Sequence, residues 1–301
     1  MRKPIPPLRQ RLADRAKAAG GLVGAGMSAA FGSRRAGTAG ILFYHRIAPR
    51  ITGLPEPGLN VTPDRFRLQM EGLLERGFEF VSLRLLIQLA AAGQPFPERA
   101  VVVTFDDAFA GVSRWAVPIL SDLRIPATVF AVTDYVGRTV PMHFDMWGIA
   151  HHEQADPDWW RSMTWEECVE AEKTGLIEIG CHTHSHHNYS GKLDEFRADI
   201  ATAQARFREN LGAPRNLFAI PYGDRRLGQV DDGLLQAAED AGLICALTTT
   251  LGPVAPGEAP FGWRRLEVVE RDNGATLAAK VEGWYDWMST VKSAVHRVSP
   301  W

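Results

Sequence analysis

Val101-Val102-Val103-Thr104-Phe105-Asp106-Asp107 joins an apolar run to two adjacent carboxylates. Its apolar run does not alternate with polar residues, which is typical of a strand covered on both faces in a parallel sheet. Two carboxylates follow directly, and buried charges are costly unless they are hydrogen-bonded, paired or bound to metal. Because barrel enzymes place catalytic groups at the carboxyl ends of their strands, Asp106 and Asp107 are functional candidates. Aspartate also suits a helix N-cap, which is the structural alternative.

Similar apolar runs recur along the chain, and amphipathic helices separate them. The runs that predict strands cover residues 41–44, 101–105, 128–132, 177–180, 217–220 and 244–247. Thr62 followed by Pro63 predicts a helix start, Asp231 predicts another, and apolar residues at 3–4 spacing predict a helix over residues 193–211. Strands that alternate with helices at this rhythm indicate a parallel sheet, and this number of units favours closure into a barrel.

A second polar stretch follows the run at residues 177–180: Gly180-Cys181-His182-Thr183-His184-Ser185-His186-His187. Neutral imidazoles are the commonest metal ligands, and His182 and His186, at i, i+4 spacing, can converge on one ion. His184 and His187, at i, i+3, are a weaker option, and a solvated polar loop is the structural alternative. Two histidines and one aspartate would give the three-ligand set of a catalytic zinc site, which leaves a position for water or substrate.

The composition argues against several other classes of protein. The 301 residues carry a net charge of -2, whereas nucleic-acid binding favours a strongly basic face, so we expect no nucleic-acid partner. Three cysteines at unrelated spacings (Cys168, Cys181 and Cys245) form neither a disulfide framework nor a cysteine zinc cage. The glycines at residues 24 and 26 lack the preceding strand of a dinucleotide fingerprint, and the sequence contains no Gly-x-Ser-x-Gly elbow.

The two ends of the chain differ from its middle. Residues 1–36 are a basic extension of small residues, too weakly apolar for a convincing signal peptide. No run approaches the roughly 20 apolar residues that span a bilayer. Residues 274–301 predict an amphipathic helix that docks on the domain or, alternatively, lies on a membrane surface. We therefore expect a cytoplasmic or membrane-peripheral protein.

Three motifs, in this order, resemble the polysaccharide deacetylase family, whose core is called the NodB homology domain or carbohydrate esterase family 4. They are Thr104-Phe105-Asp106-Asp107, His182-Thr183-x-x-His186 and Phe218-Ala219-Ile220-Pro221-Tyr222-Gly223-Asp224. The last motif, with Phe43-Tyr44-His45-Arg46, is similar to the branch that deacetylates poly-N-acetylglucosamine. The resemblance implies a distorted (β/α)7-type barrel as the single catalytic domain, which we place at residues 37–273.

The resemblance also implies an activity and a set of roles. The enzyme would remove N-acetyl groups from N-acetylhexosamine units of an exopolysaccharide, a lipopolysaccharide or a cell-wall glycan. Asp107, His182 and His186 would hold a divalent metal, most simply Zn²⁺, with Co²⁺ or Ni²⁺ as alternatives. Asp106 would be the general base, and the backbone N–H of Tyr222 would bind the oxyanion.

This sequence departs from the family pattern at three points. The late Leu-x-His motif, which supplies the general acid in much of the family, has no histidine here, so we expect His45 to take that role. The arginine that begins the Pro-Tyr motif and holds the base is also missing, and Arg265 or Arg264 is expected to replace it. Ala108 stands where the family often has glycine. These departures leave two alternatives: a catalytically silent glycan-binding relative, and a hydrolase of small amides or O-acetyl esters on the same fold.

Aromatic residues between the first two motifs are candidates for sugar contacts, because sugar rings stack on aromatic faces. Buried tryptophan is equally common in an ordinary core. Trp147 and Tyr222 are the candidates we favour, and we expect His143 and Asp145 to face the same cleft.

Overall fold

The computed structural model describes residues 37–284, together with Gly26. The predicted extension over residues 1–36 lies outside the described residues, Gly26 excepted, and so does the predicted C-terminal helix beyond residue 284. The domain boundaries at residues 37 and 273 therefore stay predictions.

Strands alternate with helices through residues 37–284, as the apolar runs predict. The strands are β1 (Gly40–Tyr44), β2 (Arg46–Ile47), β3 (Asn60–Val61), β4 (Glu79–Phe80), β5 (Ala100–Phe105), β6 (Ala127–Ala131), β7 (Ile177–Cys181), β8 (Ala246–Leu251) and β9 (Phe261–Glu267). The α-helices are α1 (Pro63–Leu74), α2 (Leu83–Ala91), α3 (Val117–Leu123), α4 (Met146–His151), α5 (Trp165–Lys173), α6 (Leu193–Leu211), α7 (Asp232–Asp240) and α8 (Gly274–Val281). A π-helical turn (Val112–Ala116) leads into α3.

The main sheet is parallel and almost closes on itself. Its strands follow the order β7-β6-β5-β1-β9-β8, with β4 paired to the start of β5. Residues 217–220 lie between the two ends of this order, because Phe218 bridges to Cys181 of β7 and Ala219 bridges to Leu247 of β8. With this segment in the place of a seventh strand, the sheet forms the predicted distorted (β/α)7-type barrel.

The barrel is stable because both faces of its strands are buried. On β1 and β5, Leu42 and Val103 belong to the larger apolar cluster, which also contains residues of α1, α3 and α6. Ile41 and Val102, one position along, belong to a second cluster with Trp263 of β9. Side chains of a barrel strand alternate between the two faces, so the second cluster marks the barrel interior.

Several helix starts agree with the sequence, and one differs in detail. Asp231 caps α7 by accepting a hydrogen bond from the backbone N–H of Leu234 (2.9 Å). Thr62 precedes α1 as predicted, but its hydroxyl donates to Glu270 (3.1 Å) and does not cap the helix.

The predicted strand at residues 244–247 is shifted, because pairing with β9 begins at Ala246.

Helix α8 docks on the barrel wall. Leu277 and Val281 are buried, and Gly274 lies so close to Gly72 of α1 that an added Cβ would meet backbone atoms at 2.5 Å. Within the described residues, the predicted C-terminal helix therefore follows the docked alternative over its first two turns. None of the helices described has the length and apolar character required to span a membrane.

Candidate active site

Three of the predicted metal ligands converge at the carboxyl end of the barrel. Asp107 follows β5, while His182 and His186 follow β7, and one ligand atom from each lies within 4.8 Å of the others. Asp107 Oδ1 lies 3.5 Å from His182 Nε2 and 3.3 Å from His186 Nε2. All three side chains are buried, and Asp107 Oδ1 has no hydrogen-bond partner of good geometry. An unpaired buried carboxylate oxygen facing two imidazole nitrogens fits a bound cation.

The segment that closes the barrel orients the ring of His182. Its Nδ1 lies 2.7 Å from the backbone oxygen of Ala219. Because a carbonyl oxygen only accepts, Nδ1 carries the proton, and Nε2 keeps a free lone pair toward Asp107. Burial, the largest influence, lowers the pKa of His182 to about 4, so the ring is neutral at ordinary pH.

The histidine loop reaches the site through a turn. Thr183 (φ 68°) and His186 (φ 58°) both adopt the left-handed region. The Thr183 hydroxyl accepts a hydrogen bond from the backbone N–H of His186 at 3.1 Å, which places the two ligand rings 5.0 Å apart. The i, i+4 spacing therefore works here without a helix.

Asp199, on α6, holds this loop and was missed from the sequence. Its carboxylate accepts hydrogen bonds from the backbone N–H groups of His184 (2.5 Å) and Ser185 (3.1 Å) and from the Ser185 hydroxyl (2.5 Å). The available signal was its position: Asp199 lies three residues after Phe196, near the apolar face of α6 that packs into the core.

The alternative pair, His184 and His187, does not converge with Asp107 among the described residues. His184 Nδ1 lies 2.9 Å from the Thr133 hydroxyl. The His187 ring lies 5.5 Å from that of His143, which is bonded to Tyr135 through Nδ1 (2.9 Å). These histidines form an outer layer beside the three converging residues.

Arg265 holds Asp106 in a buried, two-pronged ion pair. Its Nη1 and Nη2 donate to Oδ1 and Oδ2 of Asp106, each at 2.7 Å, and its Nε donates to the Thr248 carbonyl at 2.9 Å. Burial alone would raise the pKa of Asp106, but attraction by Arg265, with help from His182 and His45, holds that pKa well below its usual range. Arg264, the other predicted candidate, pairs with Glu258 instead (2.7 Å).

A cavity of about 240 Å³ opens beside the converging residues. His45 and Asp107 line it, together with Arg46, Asp145 and Trp147. The charge of His45 also contributes to lowering the pKa of Asp107, whose burial acts in the opposite direction. The structure therefore brings His45, Trp147 and Asp145 to the predicted cleft.

Tyr222 borders the site from the loop that follows the closing segment. The residue is 39% exposed, and the centre of its ring lies 5.0 Å from that of the His186 ring. Its carbonyl accepts a hydrogen bond from the Thr249 hydroxyl, and its backbone N–H donates to no acceptor among residues 37–284. A backbone donor of this kind suits a developing oxyanion.

Backbone strain is concentrated at this end of the barrel. In the described part of the chain, eight non-glycine residues have positive φ, and five of them lie here: Asp107, Ala108, Thr183, His186 and Tyr222. Each such conformation costs about 1–3 kcal/mol and persists only where surrounding contacts impose it. Ala108 adopts φ 49°, which gives a physical reason for the glycine that the family often has there.

Comparison with known proteins agrees with this geometry. Residues 93–246 match the family model described as polysaccharide deacetylase. The chain belongs to the polysaccharide deacetylase family. The poly-beta-1,6-N-acetyl-D-glucosamine N-deacetylase of Staphylococcus epidermidis is 26% identical over 262 residues, covering 81% of this chain and 83% of that protein. Its namesake in Staphylococcus aureus (strain MRSA252) is 28% identical over 236 residues, covering 75% of this chain and 73% of that protein.

A solved structure also resembles this deacetylase in fold and sequence. IcaB from Ammonifex degensii superposes with a TM-score of 0.66 at 26% identity, covering 81% of this chain and 97% of that one. The family resemblance, the barrel and the enzyme class inferred from the three motifs are thereby confirmed. The roles of the individual site residues stay predictions.

Proposed function

We propose that this deacetylase removes N-acetyl groups from a β-1,6-linked poly-N-acetylglucosamine or a related N-acetylhexosamine polymer. The observation that carries the proposal is the convergence of Asp107, His182 and His186 beside the Asp106–Arg265 pair. The named activity of the staphylococcal relatives supports this substrate class.

Asp107, His182 and His186 would hold a divalent cation. When bound, such an ion supplies Lewis-acid chemistry, which polarises a carbonyl group and makes water more acidic. Two imidazoles and one carboxylate suit zinc, and cobalt or nickel as alternatives.

The residues around the ligands would carry the proton transfers. Asp106, kept ionised by Arg265, accepts the proton of the water whose oxygen attacks the acetyl carbon. The backbone N–H of Tyr222 donates a hydrogen bond to the carbonyl oxygen as that oxygen gains charge. His45 donates a proton to the sugar nitrogen as the carbon–nitrogen bond breaks, so that acetate and a free amine leave.

The first experiment compares wild type with Asp106→Asn. Both proteins are reconstituted with zinc or cobalt, and acetate release is measured from poly-β-1,6-N-acetylglucosamine and from chitin oligomers. We expect release by the wild type and a loss of at least about 100-fold in Asp106→Asn, with the metal stoichiometry unchanged.

Other outcomes separate the alternatives. Metal binding without release from either polymer, but with turnover of small acetate esters, would indicate a small-molecule hydrolase. Glycan binding without hydrolysis of any substrate would indicate a catalytically silent relative. Failure of the wild type to bind metal would overturn the mechanism.

A further inference from the structure

We infer that Arg46 and Asp145 form a binding subsite for sugar hydroxyl groups next to the catalytic centre. The inference deepens the proposed function and rests on it for the identity of the ligand as a hexosamine polymer. Neither residue belongs to the metal-ligand set or to the Asp106–Arg265 pair.

The pair is buried in the floor of the cleft. Arg46 Nη2 donates to Asp145 Oδ2 across 99 residues of sequence, and the two side chains are only 2% and 7% exposed. Both residues line the cavity of about 240 Å³ that His45 and Asp107 also line. A charged donor and a charged acceptor therefore lie beside the centre where the acetamide would react.

Asp145 pairs with Arg46 and does not cap its own helix. It occupies the N-cap position of α4, where an aspartate usually accepts a backbone hydrogen bond, but its side chain makes no such bond. Gly148, on the first turn of α4, leaves room for this arrangement, because a Cβ there would lie 2.3 Å from Asp145 Oδ2. The local sequence thus favours the contact with Arg46 over helix capping.

Arg46 is held in place while part of its donor capacity stays unused. Its guanidinium lies 4.3 Å from the ring centre of Phe109 and 5.4 Å from that of Trp147. Trp147 is anchored in turn by donating from Nε1 to the Pro55 carbonyl at 2.8 Å. Arg46 Nε is buried and has no partner among the described residues. Nη2 donates to Asp145 and Nη1 makes no hydrogen bond among the described residues, so the fixed guanidinium keeps a donor for an oxygen ligand.

The chemistry of the cleft selects a hydroxyl-bearing ligand. A sugar hydroxyl both donates and accepts, so it can accept from Arg46 and donate to Asp145. At the mouth of the cavity, Met146 is 72% exposed and Leu59 is 50% exposed, and both line it. These apolar side chains would cover the C–H face of a ring whose hydroxyls reach the pair.

Stability alone does not account for the pair. Replacing a buried ion pair with apolar residues of similar volume is often neutral or stabilising, whereas removing one partner leaves a buried charge uncompensated. The double variant Arg46→Met/Asp145→Leu therefore removes the subsite with little expected change in folding. Arg84→Met/Glu178→Leu is the matched control, because that ion pair (2.6 Å) joins α2 to the amino-terminal half of β7, away from the cleft.

Two readouts test the inference. The first is kcat/KM for acetate release from β-1,6-linked N-acetylglucosamine oligomers, relative to kcat/KM for 4-nitrophenyl acetate, which has no sugar. We expect the double variant to lower the glycan value at least about tenfold more than the ester value, while the control pair changes neither. The second is the calorimetric Kd of the same oligomers for each variant in the Asp106→Asn background, which we expect to rise about tenfold only in the double variant.

The outcomes keep the subsite and the proposed function distinguishable. Equal losses on glycan and ester, with an unchanged Kd, would assign the pair a structural role and overturn the inference. If the wild type releases no acetate from the glycan, the proposed function fails. The Kd comparison then decides the subsite: weaker binding by the double variant supports it, and equal or absent oligomer binding overturns it.

Discussion

The site is a set of ionisable side chains whose pKa values are controlled by their neighbours. Asp106 and Asp107 are adjacent in sequence, yet Asp106 is fully paired with Arg265, whereas Asp107 Oδ1 faces the histidines without a hydrogen bond. The two carboxylates are thereby prepared for different tasks. The difference arises because both Nη atoms of Arg265, on β9, donate to Asp106 and neither donates to Asp107.

Removing Arg265 should shift the pH dependence of the reaction. In Arg265→Met the buried Asp106 loses its main attracting charge, so its pKa should rise above the ordinary value. Since the base must be ionised, activity should be lost at acid pH and return as pH increases. We expect the acid limb of the kcat profile to move upward by at least about one pH unit.

The neighbouring Arg264→Met is the matched control for that profile. Arg264 pairs with Glu258 and touches neither aspartate through a hydrogen bond that the structure describes, so its profile should match the wild type. Identical profiles for all three proteins would show that Arg265 does not control the ionisation of Asp106.

Phe144 should control metal affinity through His186. The two rings are stacked, with centres 3.7 Å apart and planes 24° from parallel, while Nδ1 of His186 is buried and unpaired. Metal-binding histidines usually gain their orientation from a hydrogen bond at the second nitrogen, and here the stacked ring replaces that bond. We expect Phe144→Leu to weaken zinc affinity about tenfold in a chelator competition, whereas Phe80→Leu, on β4, should leave it unchanged. Equal affinities would contradict this role.

Sequence reasoning found the three residues that converge and missed the residues that support them. Asp107, His182 and His186 stand in a motif, so their spacing along the chain was sufficient. Phe144 and Asp199 act on the same loop from elsewhere in the chain, and they reach it only through the folded path of the segment before α4 and the packing of α6. A single sequence contains no spacing rule for such contacts.

At the element scale, the strands were predictable because both faces of a barrel strand are apolar. The positions where the strands begin and end were less predictable. The closing segment at residues 217–220 reads as a strand, yet it pairs only at Phe218 and Ala219. Strand β8 begins at Ala246 because the register with β9 decides where pairing starts, and register depends on the partner strand.

Helix α6 should stabilise the histidine loop through Asp199. In Asp199→Ala the backbone N–H groups of His184 and Ser185 lose their acceptor. Because leaving such groups unpaired costs about 1–3 kcal/mol each, we expect a lower melting temperature and weaker zinc binding. Thermal melts and chelator competition would measure both.

Asp194→Ala on the same helix is the control. Its carboxyl group is fully exposed in the first turn of α6, and among the described contacts it pairs with Arg197 and with no group of the histidine loop. If Asp199→Ala and Asp194→Ala gave the same melting temperature and the same affinity, α6 would have no role in positioning the loop.

In the molecule as a whole, the segment that closes the barrel also supports the cluster of Asp107, His182 and His186. Ala219 bridges to β8, and its carbonyl fixes the His182 ring that faces Asp107 at the end of β5. Closing the barrel therefore buries a neutral histidine between two carboxylates and a second histidine. The stability of the metal-free protein should reflect this burial as pH changes.

The sign of that dependence follows from His182. Its pKa is about 4 in the folded protein, against 6.5 for an ordinary histidine, so below pH 6.5 the unfolded chain binds a proton that the folded chain does not bind. Stability should therefore be constant with respect to this group above pH 6.5 and should fall by about 3 kcal/mol between pH 6.5 and pH 4. Urea denaturation in the presence of a chelator would measure it.

Two variants isolate the contribution of His182 to the slope. His182→Gln should flatten the loss of stability between pH 6.5 and pH 4, because the replaced side chain cannot take up a proton in the unfolded state. His187→Gln, at an exposed histidine of the same loop, should keep the wild-type slope. A wild-type slope in His182→Gln would place the titration elsewhere. A flat wild-type curve would show that closing the barrel does not hold His182 in its neutral form.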